Sequence, residues 1–566
     1  MIRKLLAAFI MFSVVLVPML DAQGANVPDE QYAPVNEPGT GYFGFRSTPD
    51  FTMQFTNSYL LGMKTDGEKV VQIASCSSLT DANCAFADSW SANSIFGLCK
   101  TNSDTNCIEG LSAAKEDGTQ LETTYSFNIA GNRPQDFDGD PSRDLPTGRG
   151  IPVFDIPGAP HEGGIQYIPI VKSGSDTFKS TNGKFTQGSP EFGIYAVKVL
   201  TESRTLREES TDASRYVTKY WHNGNGAPTG CIVNDQTKCA VPFGLPLSIK
   251  FGIRIRTTFA IPGWFHGRFS SPEIVTSKES NGNYLTYVAA NPVLTPLIAT
   301  WVKKTDLPAN VIDYYGKLPK PLGGTGSGAG RLDLQNGDPN SWSLMRDTVS
   351  FNEQALEEFL LWLPVIGDRA TATPTYWNIH SDSGDIQNSK CKIDSNSLSG
   401  IVSTNASQFL SGPPKWNQET QSLDYKVAAP HFQSNGEVFK GTYDLAIQST
   451  YARCLYGFST APIKASISVV SENGATQVAT TIVNEKSGWI YLSAKGFTFS
   501  GPKVVVKLEQ DLLPIVGTVA DSTKTSSPVI SPKSTKKTTT ISCVKGKTVK
   551  KVTSDNPKCP AGYKKK

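Results

Sequence analysis

Histidine is scarce in this chain, with five in 566 residues, and no C-x-x-C occurs. A thioredoxin-type dithiol is therefore not expected, nor a zinc ribbon, whose cysteines stand roughly two to four residues apart. No G-x-S-x-G, P-loop lysine motif or dinucleotide fingerprint is present. His161-Glu162 runs on into Gly-Gly-Ile and lacks the second histidine of a zinc protease helix. After the N-terminus no apolar run reaches the length of a membrane-spanning helix. Charge of one sign is also lacking: Lys+Arg is 54 and Asp+Glu is 51, a net of +3. No nucleic-acid partner is expected on that balance. Glycine and proline together make 85 residues, near the ordinary share, which excludes a collagen.

What is present begins with a leader. Arg3 and Lys4 precede an apolar stretch over 5–17 that only Ser13 interrupts. Ala22-Gln23-Gly24 and Ala25 offer small-residue cleavage sites. This is the pattern of a secretory signal peptide over 1–25. The protein is expected to be secreted or at the cell surface, with no transmembrane span after cleavage.

The cysteines agree with an oxidising compartment. There are ten, and Cys76/Cys84, Cys99/Cys107 and Cys231/Cys239 each enclose seven residues. The enclosed strings SSLTDAN, KTNSDTN and IVNDQTK are polar and carry Asn and Asp, which bond their own backbone in turns. Each is expected to be a local ring, a hairpin stapled at its base. Cys84–Cys99 is a competing pairing, because spacing does not settle connectivity. By elimination, Cys391 pairs with Cys454 and Cys543 with Cys559.

Hydrophobic patterning points to a mainly β chain of antiparallel sandwich domains with one short helix. Residues 26–305 form an N-terminal β-rich region. Its clearest strand is at 248–256, where Ile249, Phe251, Ile253 and Ile255 alternate with Ser248, Lys250, Arg254 and Arg256. Residues 306–370 are a Gly-rich connection and the helix. Ser350 and Glu353 match a capping box, Leu356, Phe359, Leu360 and Leu363 form one apolar face, and Pro364 ends it. Residues 371–512 read as a sandwich of immunoglobulin type, with a hairpin signal at Ser471-Glu472-Asn473-Gly474. A Ser/Thr/Pro/Lys linker fills 513–540 and a basic tail 541–566.

The best ligand-like cluster is Asp136, Asp138, Asp140 and Asp144, whose spacing suggests a calcium loop. Gly139 falls early for such a loop and Thr147 stands where a bidentate Glu belongs. Trp264-Phe265-His266-Gly267-Arg268 could hold an anionic sugar by stacking and charge if exposed, but the aromatics are expected in the core of a strand and His266 and Arg268 in solvent. The tail lysines Lys545, Lys547, Lys550, Lys551, Lys558, Lys564, Lys565 and Lys566 are expected to meet an anionic envelope surface or cell-wall polymers.

The strings ARCLYGFSTAPIKASISVV (452–470) and GWIYLSAKGFTFSGPKVVVKLEQ (488–510) resemble a C-terminal domain that recurs in secreted actinobacterial surface proteins. GWFHGRFSSPEI (263–274) is similar to the same group, and CVKGKTVKKVTSDNPKCPAGYKKK (543–566) to its terminal tail. The resemblance implies export, a β-architecture and a surface setting, and it attaches no catalytic residue. The expected function is an exported, non-enzymatic structural or adhesive protein held at the envelope by its tail. The alternative is a secreted glycan-binding or glycan-degrading protein, with calcium as its one candidate cofactor.

Overall fold

The computed structural model describes residues 42–510 apart from 48–57, 67–68, 131–135, 179–182, 202–231, 318–343, 348–351, 375–376, 383–390, 392–396, 460–462, 471–475, 500–502 and the single positions 86, 189, 236, 297 and 479. It also describes 539–565 apart from 546–547, 555–557 and 560–562. The leader, the Gly-rich connection, Ser350, Cys231, Lys547 and Lys566 lie outside the described residues. The chain forms two compact units, divided between Asp511 and Leu512.

The first unit is mainly β, in several largely antiparallel sheets. Among the described residues the main sheet has sixteen strands. Its path runs Lys69–Ser75, Tyr59–Asp66, Ser89–Ile95, Gln166–Phe178, Glu191–Leu200, Trp377–Asp382, Gly263–Gly267, Leu398–Thr404, Gly441–Gln448, Trp489–Phe497, Thr480–Lys486. A five-stranded sheet, ordered Ser270–Lys278, Tyr284–Asn291, Ile249–Thr257, Cys107–Lys115, Gln120–Leu121, covers one face. Phe251, Ile253 and Ile255 from that sheet share a core with Phe192, Ile194, Ile401 and Ala446 of the main sheet.

Period-two alternation makes the main sheet a middle layer, since successive side chains leave opposite faces. Val402, Leu445, Ile447, Ile490 and Leu492 point away from the first core. They meet Leu423, Tyr425, Val504 and Val506 of a six-stranded sheet built from 408–428, 463–478 and 503–510. At the other end, Ile168, Ile170, Tyr195 and Val197 build a separate core on that second face.

The strands expected in 26–305 and in 371–512 thus fall in one sheet and one compact unit. The reason is Gly263–Gly267. This strand is buried along its whole length and has backbone groups to satisfy on both edges. Trp377–Asp382 pairs with one edge, antiparallel, and Leu398–Thr404 with the other, parallel. Both partners come from beyond residue 370.

The turn residues Ser471 to Gly474 lie outside the described residues, and the strands on either side, Ile463–Val470 and Thr476–Val478, pair with each other. Lys486 pairs with Trp489 across Ser487 and Gly488, both at positive φ, the geometry of a two-residue primed turn. Helices depart further from expectation. Among the described residues there are three, Ala309–Lys317, Glu353–Trp362 and Ser449–Tyr456, where one was expected. The expected helix is capped by Asn352, whose side chain accepts from the Ala355 N–H at 2.9 Å, not by Ser350. Leu356, Phe359 and Leu363 are buried as expected, and Trp362 joins them against Phe45. The other two helices have eight and nine residues, too short for their apolar periodicity to stand out.

Disulfides join Cys76–Cys84, Cys99–Cys107 and Cys391–Cys454, so Cys84–Cys99 does not form. Cys239 and Cys559 are also disulfide-bonded. Their expected partners are Cys231, outside the described residues, and Cys543, whose side chain is not described. The rings are built by their aspartates. Asp81 accepts from the Ser77 and Asn83 N–H groups, and Asp104 from those of Lys100 and Thr101. Asp235 accepts from Thr237 and Lys238 in the same way. Backbone hydrogen bonding accordingly lowers the pKa of Asp81, while side-chain and backbone bonds lower that of Asp104. The first ring is not a hairpin. Lys69–Ser75 and Ser89–Ile95 both pair with Tyr59–Asp66, and the ring closes on a 3-10 turn, Ala82–Cys84.

Cys391–Cys454 spans a sequence separation of 63 and fastens a coil to helix Ser449–Tyr456. By loop entropy, replacing both cysteines with serine should cost about 4 kcal/mol. Denaturant unfolding of the double variant measures this, and a loss under about 1 kcal/mol would mean that the unfolded chain is not loosened by removing the link.

In the second unit, Thr539–Lys545 is the central strand of an antiparallel three-stranded sheet with Thr548–Ser554 and Lys564–Lys565. The expected linker therefore gives way to a strand at Thr539.

Candidate functional site

The carboxylates of the suspected calcium loop turn to separate partners. Asp138 pairs with Arg149 at 3.0 Å and Asp144 with Lys184 at 3.0 Å. Asp140 caps the turn Pro141–Arg143, accepting from the Ser142 N–H at 2.9 Å. Asp136 is exposed. Among the described residues, no group of three or more His, Cys, Asp or Glu is gathered where it could hold a metal ion.

In 264–268 the structure overturns half of the expectation. Trp264 and Phe265 are buried on opposite faces, as a core strand requires. His266 and Arg268 are buried too, not solvated. Arg268 donates to the carbonyls of Ala406 at 3.0 Å and Ser407 at 2.5 Å and lies over the Phe409 ring. His266 stands opposite His380 in register, with ring centroids 5.5 Å apart. The His380 ring faces Glu191, which Lys172 holds at 2.9 Å. Burial pushes both imidazoles down to about 3, helped for His266 by His380 and for His380 by Lys172. This polar seam crosses the sheet between the two cores of its second face.

The arrangement with an open space beside it lies on the first face, around Asp444. Strand Gly441–Gln448 alternates, so Asp444 shares its face with Ala446, under the five-stranded sheet. Gly267, Ser403, Asp444 and Ser493 stand side by side on four adjacent strands. Next to them runs the row Phe265, Ile401, Ala446 and Tyr491. Asp444 and Ser493 of the first row and Tyr491 of the second line an open space. Above it, strand Ser270–Lys278 slips register between Ser270 and Glu273, with Ser271 at φ 50. That bulge bends the edge strand away from the floor. Lys495 Nζ donates to Ser271 Oγ at 3.2 Å, and the Tyr491 hydroxyl reaches the Ile274 backbone at 3.3–3.4 Å.

The cleft so formed has a volume of about 270 Å³. Asp444 is only 2% exposed, yet it lines the cleft and its Oδ2 makes no hydrogen bond among the described residues. Burial pushes its carboxyl up to about 6, against the pull of Ser493, the Ser271 backbone and the Lys495 and Lys250 cations. Lys250, Lys486 and Lys495 stand on the lining, and Lys250 pairs with Glu273 at 3.1 Å. Reading the sequence missed this site. Its one signal was an acid at 444 between Tyr443 and Leu445 in an otherwise strand-like run.

In the second unit, Lys558, Lys564 and Lys565 are exposed. Cys543 stands opposite Lys550 and Lys565, Ser542 opposite Lys551, and Val544 opposite Lys564. The strand pairing thus gathers lysines from three chain segments, Lys545 included. Comparison of the chain with known protein families and with curated proteins finds no match.

Proposed function

We propose that this is an exported, non-enzymatic adhesive or structural protein of the cell surface, held at an anionic envelope by its C-terminal unit. The observation that carries the reading is where charge and compactness divide. Residues 512–566 hold twelve lysines, no arginine and two aspartates, a net of +10. The whole chain carries +3, so residues 1–511 carry −7. The division of charge thus falls at the same place as the division into two compact units. Each lysine near an anionic surface contributes up to about 1 kcal/mol, falling off within a Debye length. An acidic body is repelled by such a surface, so the basic unit alone makes the contact. The immunoglobulin-type reading of the C-terminal part of the body belongs to this proposal. Two sheets closing on one core over 398–510 support it.

Cell fractionation of the full chain against a chain ending at Asp511 tests the tether. The full chain should stay with the envelope and wash off in about 1 M salt without detergent. The shortened chain should appear in the medium. Equal retention of both, or retention that survives the salt, removes the electrostatic tether.

A further inference from the structure

We propose that the cleft over Asp444 binds a small, hydroxyl-rich ligand carrying a negative charge, a sugar acid in chemical class. This site lies in the body and does not depend on the C-terminal tether.

A buried carboxylate oxygen without a hydrogen bond is costly, and native proteins retain one chiefly where something else supplies the donor. Asp444 Oδ2 is such an atom, and beside it the buried Ser403 hydroxyl also has no partner among the described residues. Of that row, Asp444 and Ser493 line the cleft, and Ser403 stands beside Asp444 on the adjacent strand. The floor therefore asks for donors that also accept. A hydroxyl does both. It donates to Asp444 when the carboxyl is ionised and accepts from it when protonated, and burial brings that titration close to neutrality.

The lining decides the charge of the ligand. Glu273 is engaged by Lys250, and the lining holds three lysines, Lys250, Lys486 and Lys495, against two acids, Glu273 and Asp444. Positive potential around the floor disfavours an ammonium group there, which sets a sugar acid apart from an amino acid. A carboxylate on the ligand would meet the lysines while its hydroxyls meet the floor. The volume of about 270 Å³ lies just under the range of drug-sized sites, which suits one sugar ring and excludes a long oligomer lying wholly inside. The Tyr491 hydroxyl fixes the covering strand to the sheet, so the cleft is preformed.

Titration calorimetry of the full chain tests this with three probes: glucuronate, glucose and alanine. Glucuronate should bind, glucose about tenfold more weakly or not at all, and alanine not at all. Asp444→Asn keeps the shape of the side chain and removes the charge, and it should weaken glucuronate binding about tenfold or more. Because a buried position is altered, a thermal melt checks that this variant folds. The double variant Lys486→Gln, Lys495→Gln changes only the rim and should weaken glucuronate about fivefold while leaving any glucose binding unchanged. Three results overturn the proposal: no binding of glucuronate, binding of alanine in its place, or glucuronate binding that neither variant alters.

Discussion

Between pH 6.5 and 5 one buried pair should take about 3 kcal/mol from the stability of the protein, leaving a net loss of about 2 kcal/mol after the groups that oppose it. The cause is the pair His266 and His380. Burial is the largest influence on both, and it holds them near a pKa of about 3 in the folded state. An unfolded histidine titrates near 6.5. Across that window the unfolded chain takes up protons that the folded chain refuses, so stability is complete above pH 6.5 and falls as pH drops. Each histidine contributes about 1.4 kcal/mol per pH unit. Asp444 works the other way below pH 6, because its raised pKa lets the folded state bind the proton first. It offsets roughly one of the two histidines over that interval. His161, lowered by burial, adds to the loss. His431, raised by its hydrogen bond to Asp368, contributes stability that is present below pH 6.5 and lost as pH rises through its folded value. Denaturant midpoints from pH 7.5 to 5 measure the sum. Replacing His266 and His380 with Gln should flatten the curve or reverse its slope. A wild-type midpoint that stays level across this range would mean that water or a counter-charge reaches the pair.

Trp264→Ala should cost about 3–5 kcal/mol, among the largest effects available to a single substitution here. The ring is fully buried and stands opposite Gly400 in register, on the strand that joins the two halves of the main sheet. The space it fills is shaped by that glycine. A Cβ at Gly400 would lie 2.1 Å from Trp264 Cζ3, so Gly400→Ala forces the indole to move. Overpacking of that kind costs about 1–3 kcal/mol. In the double variant the clash has nothing to meet, and the combined loss should fall short of the sum by at least about 1 kcal/mol. Additive losses in a thermodynamic cycle would show that the indole and Gly400 do not share the space.

Features whose partners lie a few residues away were legible. Asp81, Asp104 and Asp235 bond backbone within four residues, so the turns in SSLTDAN, KTNSDTN and IVNDQTK could be read from those strings. Ile249, Phe251, Ile253 and Ile255 alternate strictly, and all four enter one core. The same strand shows where such reading stops. Arg256 alternates to the polar side, yet it is buried there. Glu109 pairs with it, and the Asn102 carbonyl accepts from it at 2.7 Å. These two partners lie about 150 residues away in the chain, inside the second ring and on the strand that follows it.

His266 and Arg268 were misread for a related reason. Alternation says that they share a face, but not that the face is covered. Phe409 and the 406–407 backbone cover it, brought there by a sheet that crosses the whole body. Asp444 is the extreme case, since its one mark is an acid in a strand-like run.

The sequence alone determined the local order of this protein: β-strands from two-residue periodicity, a turn from Ser-Gly, rings from polar loops closed by paired cysteines, and a basic end after an acidic body. Each is set by interactions over a few residues or by composition, so each survives without knowledge of the fold. Tertiary structure decided which faces are buried, that strands from both halves share one sheet, and that Gly267, Ser403, Asp444 and Ser493 come to stand in a row. Those outcomes depend on strand pairing between segments dozens of residues apart or, at Gly267 and Ser403, more than a hundred. Such pairing rests on backbone hydrogen bonds that every residue but proline can make, and backbone bonding carries no signature in the identity of the side chains.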